Sequence, residues 1–140
     1  MRRRGWLAAL LVLLQGLVAS VALAHEVRPA YLQVREVEAG TYDVLWKVPA
    51  PGADGRLALH VRFAADTTTV GALRTTFVNN AFLQQWRVTR AGGLDGTLVR
   101  IDGLQSTLTD ALVRLERLDG TTQTLRVTPS APSFVIAVQP

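Results

Sequence analysis

The chain contains no cysteine. That absence excludes disulfides, thiolate-bound metal and a cysteine nucleophile together. Histidine is scarce: His25 and His60 are the only two, and no closed metal triad can be read around them. Serine is sparse beyond residue 24, with Ser106, Ser130 and Ser133 alone, and none stands in a nucleophile elbow. The glycine pairs do not open a helix; Gly92-Gly93 and Asp95-Gly96 precede a strand pattern instead, so no phosphate-cradling loop is present. Beyond residue 24 the sequence has no dense Lys/Arg cluster, no internal repeat and no low-complexity tract. No nucleophile–base pair is recognisable either, and the reading is therefore of a non-enzymatic protein.

What is present begins with the first 24 residues. Met1-Arg2-Arg3-Arg4 is a positive start, Gly5 to Val21 is an apolar run, and Ala22-Leu23-Ala24 supplies a small-x-small site. In that order these are the three parts of an export signal, cut before His25. The rival reading is an uncleaved anchor, because the run is just long enough to span a bilayer. Export divides the chain into a signal peptide over 1–24 and one domain over 25–140, and places that domain in the periplasm. Of the fifteen basic residues, Arg2, Arg3 and Arg4 leave with the signal, so the remaining balance is 12 basic to 11 acidic, a net +1. The basic character of the precursor therefore overstates what a partner meets, and nucleic acid is out of reach for an exported chain. Without disulfides such a domain must be held by its core alone, and 116 residues suffice for that.

Beyond residue 24 the apolar period is mostly two, the period of a strand with one buried face. Tyr42, Val44, Trp46 and Val48 alternate with Asp43, Leu45 and Lys47; Leu57, Leu59, Val61 and Phe63 alternate with Arg56, Ala58, His60 and Arg62. The same holds for Phe82, Trp86 and Val88, for Val113 and Leu115, and for Leu125 and Val127. Turn residues recur between these runs at Ala39-Gly40, residues 51–55, Asn79-Asn80, Gly92-Gly93, Asp95-Gly96 and Asp119-Gly120. Asp119-Gly120 is the sharpest hairpin signal and predicts a type I′ turn, which needs positive φ at both central residues. The spacing predicts an all-β fold: an antiparallel β-sandwich of Greek-key or immunoglobulin-like character with about eight or nine strands. The expected core is Leu32, Val34, Val44, Trp46, Leu59, Val61, Trp86, Val88, Ile101, Val113, Leu115, Leu125 and Val127. Leu104 to Leu112 breaks the alternation and is compatible with a short helical turn.

If cleavage falls after Ala24, His25 becomes the first residue. Its α-amine and imidazole can then chelate one ion, and imidazole plus amine nitrogen suits nickel or copper. His60 lies on the wet parity of its strand and reads as an ordinary exposed residue. The carboxylate pairs Glu36 with Glu38 and Asp110 with Glu116 read as solvated strand ends.

Certain stretches, taken in series, carry a resemblance. They are Ala24 to Leu32 (AHEVRPAYL), Tyr42 to Pro49 (YDVLWKVP), Gly92 to Gly96 (GGLDG), Ile101 to Leu104 (IDGL), Thr107 to Leu115 (TLTDALVRL) and Leu118 to Gly120 (LDG). The series resembles the exported N-terminal domain of HupE/UreJ-like membrane proteins, across nearly all of residues 25–140. The resemblance implies an extracytoplasmic accessory or metal-presenting domain, whose partner is a membrane permease subunit or domain implicated in nickel or cobalt uptake. Two departures stand out. Relatives often carry a cysteine pair near the positions of Thr67 and Arg90, and they continue into membrane helices rich in His and Asp, where a transport path would lie. A self-standing periplasmic binding protein, unrelated to metal, is the alternative expectation.

Overall fold

A computed structural model describes residues 5–12, 28–50 and 58–140. The cleavage site at residues 22–24, His25, Leu57 and the turn at residues 51–55 lie outside the described residues. Residues 5–12 are helical and exposed, and no helix among the described residues is long and apolar enough to cross a membrane.

From residue 30 onward the chain alternates between strand and turn, as the period-two patterning requires. The strands are β1 (Ala30–Glu38), β2 (Thr41–Pro49), β3 (His60–Arg62), β4 (Thr68–Val78), β5 (Ala81–Thr89), β6 (Leu98–Asp102), β7 (Ala111–Glu116), β8 (Thr122–Val127) and β9 (Ser133–Val135). One 3-10 turn, Leu104–Ser106, interrupts them between β6 and β7, where the sequence loses its alternation. The strands form two sheets, one of six in the order β4-β5-β2-β1-β7-β8 and one of three in the order β3-β6-β9. The fold is the expected all-β sandwich.

Its strand directions hold one difference from a purely antiparallel arrangement: β1 pairs with β7 in parallel, from Ala30 opposite Ala111 to Arg35 opposite Glu116. Period-two patterning tells which face of a strand is buried but not which way its neighbour runs. Every other strand pair is antiparallel.

The inner faces meet in one core. Leu32, Val34, Val44 and Trp46 come from the centre of the large sheet, Val113, Leu115 and Val127 from its far side, and Val99 and Ile101 from the small sheet. Ten of the thirteen expected core residues are buried; Val61, Trp86 and Leu125 are partly buried and pack against the same cluster. Trp46 donates its indole N–H to the Leu59 carbonyl at 3.3 Å, tying β2 to the segment that leads into β3. Tyr42 accepts the Leu94 N–H at 3.0 Å, fixing the loop before β6 over the end of β2. Gly103 holds the other end of that region: its φ is +91, and a Cβ there would collide with the Ala58 carbonyl oxygen, so only glycine fits.

The hairpin turns correct one expectation. At Asp119-Gly120 only Gly120 has positive φ, so the turn is not type I′. Gly120 N–H donates to the Arg117 carbonyl and Arg117 N–H to the Thr121 carbonyl, both at 2.9 Å, the pattern of a turn with a glycine bulge. The cause is local, because the Asp119 carboxylate accepts both the N–H and the hydroxyl of Thr121, at 2.9 and 2.6 Å. The type I′ geometry occurs instead at Asn79-Asn80, with φ of 50 and 59, in the two-residue loop that joins β4 to β5.

Candidate functional site

β4 is the longest strand that the alternating runs do not cover, and none of the expected core residues lies on it. Its sequence is rich in β-branched residues (Thr68, Thr69, Val70, Thr75, Thr76, Val78), which favour extended backbone. Neither of its faces is covered. All eleven residues are exposed, including Val70 at 46%, Leu73 at 49%, Phe77 at 58% and Val78 at 50%. Lying at the end of the sheet order, it has β5 as its one strand neighbour. It carries a single charge, Arg74. A long, exposed, sparsely charged edge is a template for pairing with another strand.

β4 is also irregular. Val70 stands opposite Arg87 and Arg74 opposite Gln85, so Gly71, Ala72 and Leu73 face Trp86 alone. Gly71 permits this with φ of 75, as expected for a bulge. On the outer face of the large sheet, beside this bulge, lies an open groove of about 700 Å³. Arg35, Asp43, Arg74, Arg87, Gln33 and Gln85 supply its polar lining.

The electrostatics of that face are ordered by strand register. Asp43 on β2 sits opposite Arg87 on β5, and the guanidinium grips the carboxylate with Nε at 2.7 Å and Nη2 at 3.2 Å. The bond from Arg87 holds the Asp43 carboxyl below the usual carboxylate range, against the opposing effect of desolvation. Arg114 pairs with Glu116 at 2.8 Å and Arg126 with Asp110 at 3.0 Å. Glu36 is likewise in use, accepting the N–H of Leu118 at 3.1 Å and that of Gly40 at 3.4 Å. Of the candidate carboxylates, Glu36, Asp110 and Glu116 are therefore brought into structural hydrogen bonds and ion pairs, while Glu38 stands exposed and acts on Arg87.

His60 is exposed on β3 opposite Asp102, but Asp102 is already held by Arg62 at 2.7 Å and Arg100 at 3.1 Å. Among the described residues there is no group of three or more His, Cys, Asp or Glu side chains that could hold a metal ion. His25 lies outside the described residues. The sequence signal that β4 did offer is its run of threonine and valine around a lone glycine; the groove had none, since it assembles residues from four strands.

Comparison with models of known protein families finds no match for this chain. Comparison with curated proteins finds no match either.

Proposed function

We propose that the chain is a non-enzymatic extracytoplasmic interaction domain, accessory to a metal permease of the HupE/UreJ kind, and that it docks its partner by adding a strand at β4. The observation that carries this reading is β4 itself: eleven exposed residues at the end of a sheet, with apolar side chains on view and one charge. Strand addition would satisfy the free edge through main-chain hydrogen bonds and cover Phe77 and Val78. The resemblance of the motif series supports the choice of a permease. So does the register at the base of the β4–β5 hairpin, where Thr68 pairs with Thr89 and Thr67 and Arg90 follow as the next residues outward, near which relatives often carry a cysteine pair. An Asp66–Arg90 ion pair at 2.8 Å joins the two strands there.

In the same reading His25 presents the metal, as the free N-terminal residue left by signal cleavage. Nickel or copper binding at its amine and imidazole weakens as pH falls and both nitrogens take up protons. Photo-crosslinking in the exporting host tests the docking. A reactive residue placed at Thr76 is expected to give an adduct with a membrane-embedded metal permease, and one at Arg62 on the small sheet is not. Absence of a permease adduct from Thr76, or an adduct there with a soluble periplasmic protein instead, overturns the permease reading and favours a self-standing binding protein.

A further inference from the structure

We propose that the groove beside the β4 bulge binds a small organic dicarboxylate, clamped between Arg35 and Arg74. The register sets the outer-face residues of four strands into two rows. One runs Arg35–Asp43–Arg87–Val70 and the next runs Gln33–Leu45–Gln85–Arg74. Arg35 and Arg74 thus stand at opposite corners of the grid, three strand spacings apart across the sheet and one row apart along it, about 16 Å between backbones. Long side chains reaching inward from these corners leave room for a ligand of a few carbons.

Charge points to the same ligand. Three acids of this face are already paired, Asp43 by Arg87, Glu116 by Arg114 and Asp110 by Arg126, and the charge of Glu38 acts on Arg87. Arg35 and Arg74 belong to no ion pair or side-chain hydrogen bond among the described residues, and both are exposed. Arg35 still shares the field of Asp43, its neighbour on β2, but the groove lining holds three arginines against that one aspartate, and a concave surface with such an excess of cations concentrates anions there. Guanidinium forks match carboxylates in two-pronged geometry, so two forks at two corners select a molecule with two carboxylates over one with a single carboxylate. Between the corners Gln33 and Gln85 offer amides to a polar group on the linking carbons, and Leu45 and Val70 give those carbons an apolar floor. Gly71 and Ala72 keep the β4 wall low; a Cβ at Gly71 would meet nothing within 4 Å. The volume of about 700 Å³ is in the range of small-molecule sites. This site is separate from docking at the β4 edge and holds whether or not a permease binds there.

Backbone amide NMR titration tests it on the protein purified from the exporting host. The probes are succinate, glutarate and 2-oxoglutarate, with butyrate and inorganic phosphate as comparators. Saturable shifts confined to β1, β2, β4 and β5 are expected for at least one dicarboxylate, with butyrate binding about tenfold weaker. Arg35→Gln and Arg74→Gln should each weaken the dicarboxylate by about tenfold and abolish its advantage over butyrate. Arg62→Gln, on the small sheet, should change nothing. Both groove arginines are exposed, so unchanged circular dichroism will show that the variants fold. Equal binding of butyrate and dicarboxylates, preference for phosphate, indifference to both groove variants, or no shift with any dicarboxylate at millimolar concentration overturns the proposal.

Discussion

Trp46 is fully buried in the centre of the large sheet, and its indole N–H is the donor to the Leu59 carbonyl. Trp46→Ala removes both the volume and the donor, and should cost about 3–5 kcal/mol in urea unfolding. Trp46→Phe keeps most of the volume and isolates the hydrogen bond, so its loss should be clearly smaller. Tyr42 has the corresponding role at the other end of β2. Desolvation is the main cause that raises its phenol above its ordinary value, with Glu36 adding to the rise and the bond from Leu94 N–H opposing it. A group whose folded pKa lies above its unfolded one contributes stability that is complete below the unfolded value, near 10 for tyrosine, and fades as pH rises through the folded one. Stability should therefore fall on alkalinisation beyond about pH 10. Tyr42→Phe should remove that component and cost about 1–3 kcal/mol at neutral pH, since Leu94 N–H is left without its acceptor. Unfolding midpoints measured across pH check both statements.

At the scale of elements, what could be read in advance followed burial. β2 alternates without exception because one of its faces packs on the small sheet, and Val113, Leu115 and Val127 were legible for the same reason. β4 was not legible: with both faces exposed, nothing imposes period two on it, and Gly71 inserts a bulge that shifts its register. The groove was hidden further, because Arg35 and Arg74 are brought together only by the pairing of β1 with β2, β2 with β5 and β5 with β4. The exposed position of His60 was legible from parity alone. The base of the β4–β5 hairpin allows a sharper measurement. Thr67 and Arg90 sit one step beyond the Thr68–Thr89 pair, where neighbouring backbones are within the reach of a disulfide. A Thr67→Cys/Arg90→Cys double variant should oxidise spontaneously and gain about 2–4 kcal/mol over its reduced form. Two thiols that stay free in the folded protein under oxidising conditions would place these residues apart.

Across the whole molecule, the large sheet is closed by a pairing of distant segments. β1 is bonded on one side to β2, its hairpin neighbour, and on the other to β7, which begins at Ala111. Such non-local pairing is slow to form, in the millisecond-to-second range typical of β-sandwiches. An exported chain would have to complete it after crossing the membrane. Intact-mass measurement on protein recovered from the periplasm should give a species that starts at His25. A mass that retains residues 1–24 would mean an anchored protein and would remove the free amine on which metal presentation at His25 depends.

The two borders of the sandwich are not equally fastened. β1 is nine residues long and has a strand on either side, β2 from Tyr31 to Glu38 and β7 from Ala30 to Arg35. β9 has three residues and β6 as its single strand neighbour. Beyond it the chain is clasped by Arg117, whose side chain is 7% exposed, pairs with Asp95 at 3.2 Å and donates to the Ala137 carbonyl at 2.6 Å. Mechanical tension would therefore be borne unevenly. A pull transmitted through residues 136–140 works against contacts that can open one after another: the Arg117 clasp, the bonds of Gln123 on β8 to Val135 and Ala137, the pairing of buried Ile136 with Gly96 and Thr97, and then the three-residue strand itself. A pull on the start of β1 meets the centre of the six-stranded sheet at once. The domain is thus a firm anchor for whatever is attached ahead of Ala30 and a yielding one for whatever is attached behind Val135, and single-molecule stretching from the two sides should show a low-force first step only for the latter.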